Sequence, residues 1–327
     1  MSKKSSSSFV LDFEKPLVAL LNEINKLEES TGNADCNDLI DGLKKQFYEL
    51  RERIYSNLNA HQRLQLARHP ERPYTLNFVQ DLGQNWVELH GNRLGEDDSA
   101  IVAGLLELEP GLTIVVVGTE KGRGIKDKQK RNFGMPQPAG YQKAMRLFKH
   151  AESFNLPIVT LIDTPGAYPG LEAEANGQSR AIAWNIQEMS NLTVPVIAVI
   201  TGEGGSGGAL ALAVANRVLM LENAVYSVIS PEGCAAILWR TRDKSQDAAN
   251  ALKITADDLL KLGLIDEIVP EAAGGAHTDY AQTTLNLKQS ILKHLNELSK
   301  LSAEELQKDK LNKFRNFGSF TEMKIPA

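Results

Sequence analysis

The stretch Val194-Pro-Val-Ile-Ala-Val-Ile-Thr-Gly-Glu-Gly-Gly-Ser-Gly-Gly-Ala-Leu-Ala-Leu-Ala-Val214 decides the fold. Its first part, Val194 to Ile200, is apolar and rich in β-branched residues, as in a strand buried on both faces. Five glycines follow among the seven residues Gly202 to Gly208, and Ala209 to Val214 then reads as a small-faced helix. The same turn can carry chemistry. Glycine has no Cβ to block approach, and the first N–H groups of a helix have no intrahelical acceptor. Such groups form a preorganised site for negative charge, whether phosphate, carboxylate or an oxyanion made during reaction. No Lys-Ser or Lys-Thr closes the run, so a Walker-type phosphate loop fits poorly and an oxyanion hole fits better.

Outward from this stretch, apolar strands alternate with helices. Ser99 to Leu108 and Leu112 to Gly118 are strand-like and joined by a Glu-Pro-Gly turn at 109–111. Pro138 to Phe154 reads as a helix, Leu156 to Ile162 as a buried strand and Glu172 to Leu192 as a long helix. Short strands are expected at Asn216 to Leu221, Val225 to Val228 and Ile265 to Val269. Helices are expected at Pro231 to Trp239, Ala256 to Leu262 and Tyr280 to Lys300. This alternation predicts parallel βαβ units covered on both faces. Residues 12 to about 68 read instead as a helical hairpin. Leu17, Leu20, Leu21, Ile24 and Leu27 share one face, as do Leu39, Leu43, Phe47, Leu50 and Ile54, with Gly32 and Asn33 between the two. Two prolines within His69-Pro-Glu-Arg-Pro73 end this region. The last 25 or so residues are charged and read as peripheral.

Composition sets the outer bounds. A chain of 327 residues with 42% hydrophobic and 24% charged residues matches an ordinary globular protein. No apolar run reaches the roughly 18 residues that span a bilayer, and Met1 to Ser8 lacks the apolar core of a signal peptide. The expected location is cytoplasmic. Cys36 and Cys234 give neither a disulfide framework nor a zinc cluster, and the six histidines show no metal-ligand spacing. No metal site is therefore expected. A net charge of −5 argues against general nucleic-acid binding.

Two further segments stand out. Asp163-Thr-Pro-Gly-Ala-Tyr-Pro-Gly170 leaves the end of a predicted strand, where ligands settle in open α/β sheets. Its Asp-x-x-Gly start matches a nucleotide-hydrolase turn, but no phosphate loop accompanies it. Lys121 to Arg131 holds six cations against one acid and could attract a polyanionic ligand such as coenzyme A. It could equally be a solvated face. A rival reading comes from Gly204-Gly-Ser-Gly-Gly208, which satisfies the Gly-x-Ser-x-Gly elbow of serine hydrolases, with Ser206 as nucleophile and Asp266 and His277 following in order. Against it, His277 sits in Gly-Gly-Ala-His-Thr, a sequence suited to a surface loop. A self-sufficient hydratase or thioesterase would need a carboxylate such as Glu172 or Glu174 beside the loops. A non-enzymatic scaffold for a catalytic partner would need none of these groups.

Several motifs together resemble one family. They are Arg68-His-Pro-Glu-Arg-Pro-Tyr-Thr75, Arg131-Asn-Phe-Gly-Met-Pro136, Ile162 to Gly170, Gly202 to Ala209, Tyr226-Ser-Val-Ile-Ser-Pro-Glu-Gly-Cys234 and Gly274-Gly-Ala-His277. From about residue 10 to residue 300 the chain resembles the alpha subunits of the bacterial acetyl-coenzyme A carboxylase carboxyltransferase. The resemblance implies a crotonase-like α/β fold, a spiral of ββα units whose strand pairs divide between roughly perpendicular sheets. It implies an N-terminal helical extension (1–72), a carboxyltransferase domain (73–300) and a C-terminal tail (301–327).

It also implies an activity: transfer of the carboxyl group from carboxybiotin on a biotin carboxyl carrier protein to acetyl-CoA, giving malonyl-CoA for fatty acid synthesis. Propionyl-CoA is the alternative acceptor. The implied partners are a beta subunit in an α2β2 assembly, the carrier protein and a biotin carboxylase. Zinc is expected on the beta subunit only, and no cofactor on this chain. In the family the alpha subunit supplies the biotin-side oxyanion hole. Carried over, that role falls to N–H groups among Gly204, Gly205, Gly207 and Gly208, with the choice of two left open. Gly166, Ala167 and Tyr168 are expected to line the same cavity, and Lys126, Lys128 and Arg131 to hold CoA phosphates or the carrier.

Overall fold

Apolar residues at helical spacing build the first two helices of the computed structural model, which describes residues 9–30 and 37–318. These are α1 (Lys15–Ser30) and α2 (Asn37–Tyr55), packed on each other as a hairpin. Leu17, Ile24 and Ile40 are buried, whereas Leu21 and Leu39 stay exposed, so the chain covers only part of the stripe. Gly32, Asn33 and Cys36 lie outside the described residues. A third helix, α3 (Ala60–Ala67), starts at Asn59, whose side chain accepts the Gln62 N–H while the Gln62 amide oxygen accepts the Asn59 N–H, both at 2.9 Å. Beyond the prolines come two elements without a sequence signal, α4 (Thr75–Leu82) and the edge strand β1 (Gln84–Glu88).

The hairpin of β2 (Ile101–Glu109) and β3 (Leu112–Thr119) turns at Gly111, whose φ of 80° favours glycine. The cationic stretch is a short helix, α5 (Gly124–Lys130), and α6 (Pro138–Ser153) has proline in its first turn. Strand β4 (Ile158–Thr164) is buried throughout. The expected long helix is two, α7 (Leu171–Ala175) and α8 (Gln178–Asn191), because Gly177 between them takes φ 84°.

Strand β5 (Val196–Gly205) runs through the glycines rather than stopping at Ile200, and α9 (Ser206–Leu210) begins earlier and ends sooner than the alanine run suggests. Glu203, Gly204 and Gly205 stay extended because they pair with a parallel strand. The helix gives way to turns in which Leu212 and Ala213 donate to carbonyls three residues back. Then follow β6 (Arg217–Leu221), β7 (Val225–Ser227), α10 (Pro231–Trp239), α11 (Ser245–Ala251), α12 (Ala256–Lys261), β8 (Glu267–Val269) and α13 (Tyr280–Leu298). The last is α14 (Ala303–Arg315).

Hydrogen bonding joins the eight strands in one mixed sheet, ordered β1-β2-β3-β4-β5-β6-β8, with β7 on β5. The β1–β2 and β2–β3 pairs are antiparallel and the others parallel. Strand β5 has two partners in succession, β6 over Ile197 to Ile200 and β7 over Glu203 to Gly205. A register shift between Ile162 and Thr164 lets β4 follow it, so that Thr164 lies opposite Gly204. Val196 to Ile200 are fully buried. Each of the larger aliphatic side chains there contributes roughly 1.5–3 kcal/mol relative to exposure. The core therefore fixes the place where the glycine turn emerges.

The tail read as peripheral joins this core. Leu306 is buried, and Lys310 Nζ donates to the carbonyls of Met189 and Leu192 at 2.9 and 2.7 Å, satisfying the end of α8. Among the described residues no helix is long and apolar enough to cross a membrane.

Candidate functional site

The site grows from the carboxyl ends of β4 and β5. Past the β4 end, Thr164 Oγ1 donates to the Gly166 carbonyl at 2.7 Å and accepts the Gly166 N–H at 3.1 Å. This holds Gly166 at φ 151° and folds Pro165-Gly166-Ala167 toward the glycine run. The two segments meet backbone to backbone. A Cβ on Gly205 would lie 2.2 Å from the Pro165 carbonyl oxygen, and one on Gly208 would lie 2.3 Å from Ala167 N. Gly204 is closed by the Tyr226 ring at 2.7 Å, whereas Gly207 has Ile182 at an ordinary 3.6 Å. Three of the four glycines thus serve close approach. Gly207 is the one whose lack of a side chain is not explained by crowding.

Helix α9 starts inside this turn, with Gly205 as N-cap and no side chain capping it. The N–H groups of Gly207 and Gly208 therefore fall in the first helical turn, where no intrahelical acceptor reaches them. Ser206 between them and the strand takes φ 53°, unusual for a residue with a side chain. Among the described residues, the Ala167 N–H makes no hydrogen bond. An apolar cavity of about 300 Å³ opens beside Ser206 and Gly207, walled by Leu210, Tyr226, Phe314 and Phe317 among others.

Behind the turn lies an ion network. Lys121 Nζ sits 2.7 Å from Asp163 Oδ1 and 2.8 Å from Glu203 Oε2, and Arg68 Nε donates to Glu203 Oε1 at 2.6 Å. Asp163 Oδ1 also accepts the Glu203 N–H at 2.8 Å, and Gly202 leaves room for that carboxylate. Burial alone would raise the Glu203 carboxyl, but the Lys121 and Arg68 charges outweigh it and hold the group at about 2. Arg68 continues to Glu232 at 2.6 Å, tying α10 to the strand. Sequence reasoning missed this network, although a lone glutamate inside an apolar, glycine-rich strand signals a buried ion pair.

The cations of 121–131 divide. Lys121 belongs to the network. Arg123 lies 3.9 Å over the Tyr74 ring and donates to the Arg72 carbonyl at 2.6 Å. Arg131 donates to Asp127 at 3.0 Å and to the Ser99 carbonyl at 2.8 Å, so its charge is engaged within the chain. Lys126 and Lys130 are exposed on α5, and Lys128 is half-buried. Tyr168 is brought beside Pro136, whose carbonyl accepts the Tyr168 N–H at 3.0 Å and the Gln178 side chain at 2.8 Å. The Arg131–Pro136 and Gly166–Tyr168 segments thus share one rim.

The rival catalytic groups do not assemble. Asp266 accepts the Val218 N–H at 2.6 Å and pairs with Lys313. His277 stacks on His69 with ring centroids 3.9 Å apart. Neither is bonded to Ser206, so no hydrolase triad forms among these three. His277 is also not at the surface: its side chain is 9% exposed, and burial depresses its pKa to about 3. Glu172 and Glu174 are exposed on α7. Among the described residues no group of three or more His, Cys, Asp or Glu is placed to hold a metal ion.

Comparison with known proteins identifies the family. The sequence model of the family described as acetyl co-enzyme A carboxylase carboxyltransferase-like matches residues 10–318, reaching past residue 300 into α14. The chain is 50% identical to the acetyl-coenzyme A carboxylase carboxyl transferase subunit alpha of Synechocystis sp., over 99% of this chain and 100% of that protein. It is 51% identical to the protein of the same description from Staphylococcus epidermidis, over 96% and 100%. Among solved structures, transcarboxylase 12S with methylmalonyl-coenzyme A bound matches 72% of this chain and 44% of its own, at 20% identity and TM-score 0.58. A Pseudomonas malonate decarboxylase hetero-tetramer in complex with coenzyme A matches 73% and 94%, at 17% identity and TM-score 0.57. At such identities these structures speak for the fold.

Proposed function

The chain belongs to the acetyl-coenzyme A carboxylase carboxyltransferase family as an alpha-subunit chain, and from that premise we propose that its glycine turn is the biotin-side half of a shared active site. The protein is a carboxyltransferase that works with a beta subunit. It moves a carboxyl group from carboxybiotin to acetyl-CoA, giving malonyl-CoA. We further assign the donor to a biotin carboxyl carrier protein, charged by a biotin carboxylase, and the assembly to two copies of each subunit in the cytoplasm.

One observation carries the site assignment: the uncapped first turn of α9 places Gly207 beside an apolar cavity, and Gly208 packs against the Gly166–Ala167 backbone. Carboxyl transfer breaks the N–C bond of the donor and leaves negative charge on its ureido oxygen. Fixed N–H donors stabilise such charge by about 3 kcal/mol each when well aimed. The four candidate glycines divide into roles on this reading. Gly207 and Gly208 are the helix-side donors, and Gly204 and Gly205 let the strand approach its neighbours. Ala167 N–H lies close enough to Gly208 to act with them. The acetyl methyl proton passes to the donor ring nitrogen, and the resulting carbanion takes up the released CO2, so no side-chain base is needed here.

Lys126, Lys128 and Lys130 remain the cations available to CoA phosphates or the carrier, and Arg131 supports α5 instead. The division into a helical extension (1–72), a carboxyltransferase domain (73–300) and a tail (301–327) is kept, with α14 packed onto the second.

The test is carboxyl transfer from malonyl-CoA to free biocytin by this chain alone and after mixing with the beta subunit. Transfer only in the mixture is expected. Full transfer by the chain alone would refute the shared site, and none in a proven assembly would refute the assignment.

A further inference from the structure

The cavity beside Ser206 and Gly207 has a chemical character of its own. No lysine, arginine, histidine or carboxylate side chain lines it among the described residues, so it offers nothing to neutralise a phosphate. Its walls are aliphatic and aromatic, with Leu210 on the α9 side and Phe314 and Phe317 at the end of the chain. Two polar side chains in that wall, Ser206 and Tyr226, make no hydrogen bond among the described residues. Tyr226 packs its ring on Gly204. Ser227, its neighbour, is already engaged with the Ile229 carbonyl at 2.8 Å. Burial pushes the Tyr226 phenol up to about 12, so it remains a neutral donor at physiological pH. The cavity therefore suits a compact ring with apolar faces and one polar edge.

We propose that Tyr226, Phe314 and Phe317 form the specificity wall for the fused ring of the carboxyl donor, with the Tyr226 hydroxyl donating to its ureido edge. This inference rests on the biotin-side assignment above and adds to it three residues, two of them from the segment 301–327. The ureido-bearing ring is the substrate part that matches this lining. Coenzyme A, with its phosphates, does not. Phe314 and Phe317 reach the cavity because Lys310 and Leu306 hold α14 on the body of the protein.

The experiment is steady-state transfer from malonyl-CoA to free biocytin by the assembled enzyme, with both substrates varied. Tyr226→Phe keeps the ring on Gly204 and removes only the hydroxyl. It is expected to raise the KM for biocytin about three- to tenfold, the equivalent of one hydrogen bond, and to leave the KM for malonyl-CoA unchanged. Phe317→Ala is expected to act in the same direction, with Phe317→Leu recovering part of the loss. Unchanged biocytin KM values in an active wild-type background, or shifts confined to malonyl-CoA, would overturn this inference alone. A wild-type assembly that transfers nothing would instead overturn the parent reading, and this one with it.

Discussion

Ala167 N lies 2.3 Å from the point that a Cβ on Gly208 would occupy. That distance joins the two loops of the site into one unit, because a side chain at position 208 must push the Gly166–Ala167 backbone away. Gly208→Ala is therefore expected to lower turnover about 100-fold, the usual consequence of displacing a reacting group by about 1 Å. Gly207→Ala meets only Ile182 at 3.6 Å and should keep turnover within about threefold. Rates of the two variants, each assembled with the beta subunit, check the contrast.

The network behind the turn predicts a stability effect. Lys121 is the only cation bonded to both Asp163 and Glu203 among the described residues, and its side chain is 13% exposed. Lys121→Met leaves two buried carboxylates short of a countercharge and should destabilise the fold by about 3 kcal/mol in urea titrations.

The same network gives a pH dependence. Glu203 is held at about 2, against roughly 4.3 for an unfolded chain. Its contribution is fully present above the unfolded value and is lost as pH falls from about 4.3 toward 2. Acid unfolding of the wild type should steepen in that window, and Lys121→Met should flatten it. Equal acid profiles would contradict the assignment.

At the other end of the chain, Lys310 is buried and Lys308 exposed on the same helix. Lys310→Ala strands the carbonyls of Met189 and Leu192 and should cost about 2 kcal/mol. Lys308→Ala should stay within about 0.5 kcal/mol. Equilibrium unfolding of both variants measures the difference.

The strand and its glycine run were legible because composition changes abruptly at Gly202, and Pro231 to Trp239 was read to its observed ends, with Pro231 in the first turn and Ser230 as cap. Other features were hidden for identifiable reasons. Glycines from 202 to 205 look like a loop, but pairing with Val225 to Ser227, a contact distant in sequence, keeps them extended. Gly177 broke a helix that periodicity alone continued. The tail looked peripheral because Lys310 counts as a surface residue until its ammonium is seen to cap α8. At the site, sequence pattern located the glycines but could not separate them. Their roles depend on which neighbour each one faces: Tyr226 for Gly204, Pro165 for Gly205 and Ala167 for Gly208.

On the proposed mechanism, a backbone N–H of this turn stabilises charge during carboxyl transfer. The most direct measurement replaces Gly207 with glycolate, exchanging the amide for an ester so that only the N–H is lost, and follows transfer to biocytin by the assembled enzyme. Turnover is expected to fall about 100-fold, with subunit assembly and the KM for malonyl-CoA unchanged. Wild-type turnover from the ester-containing enzyme would contradict the mechanism.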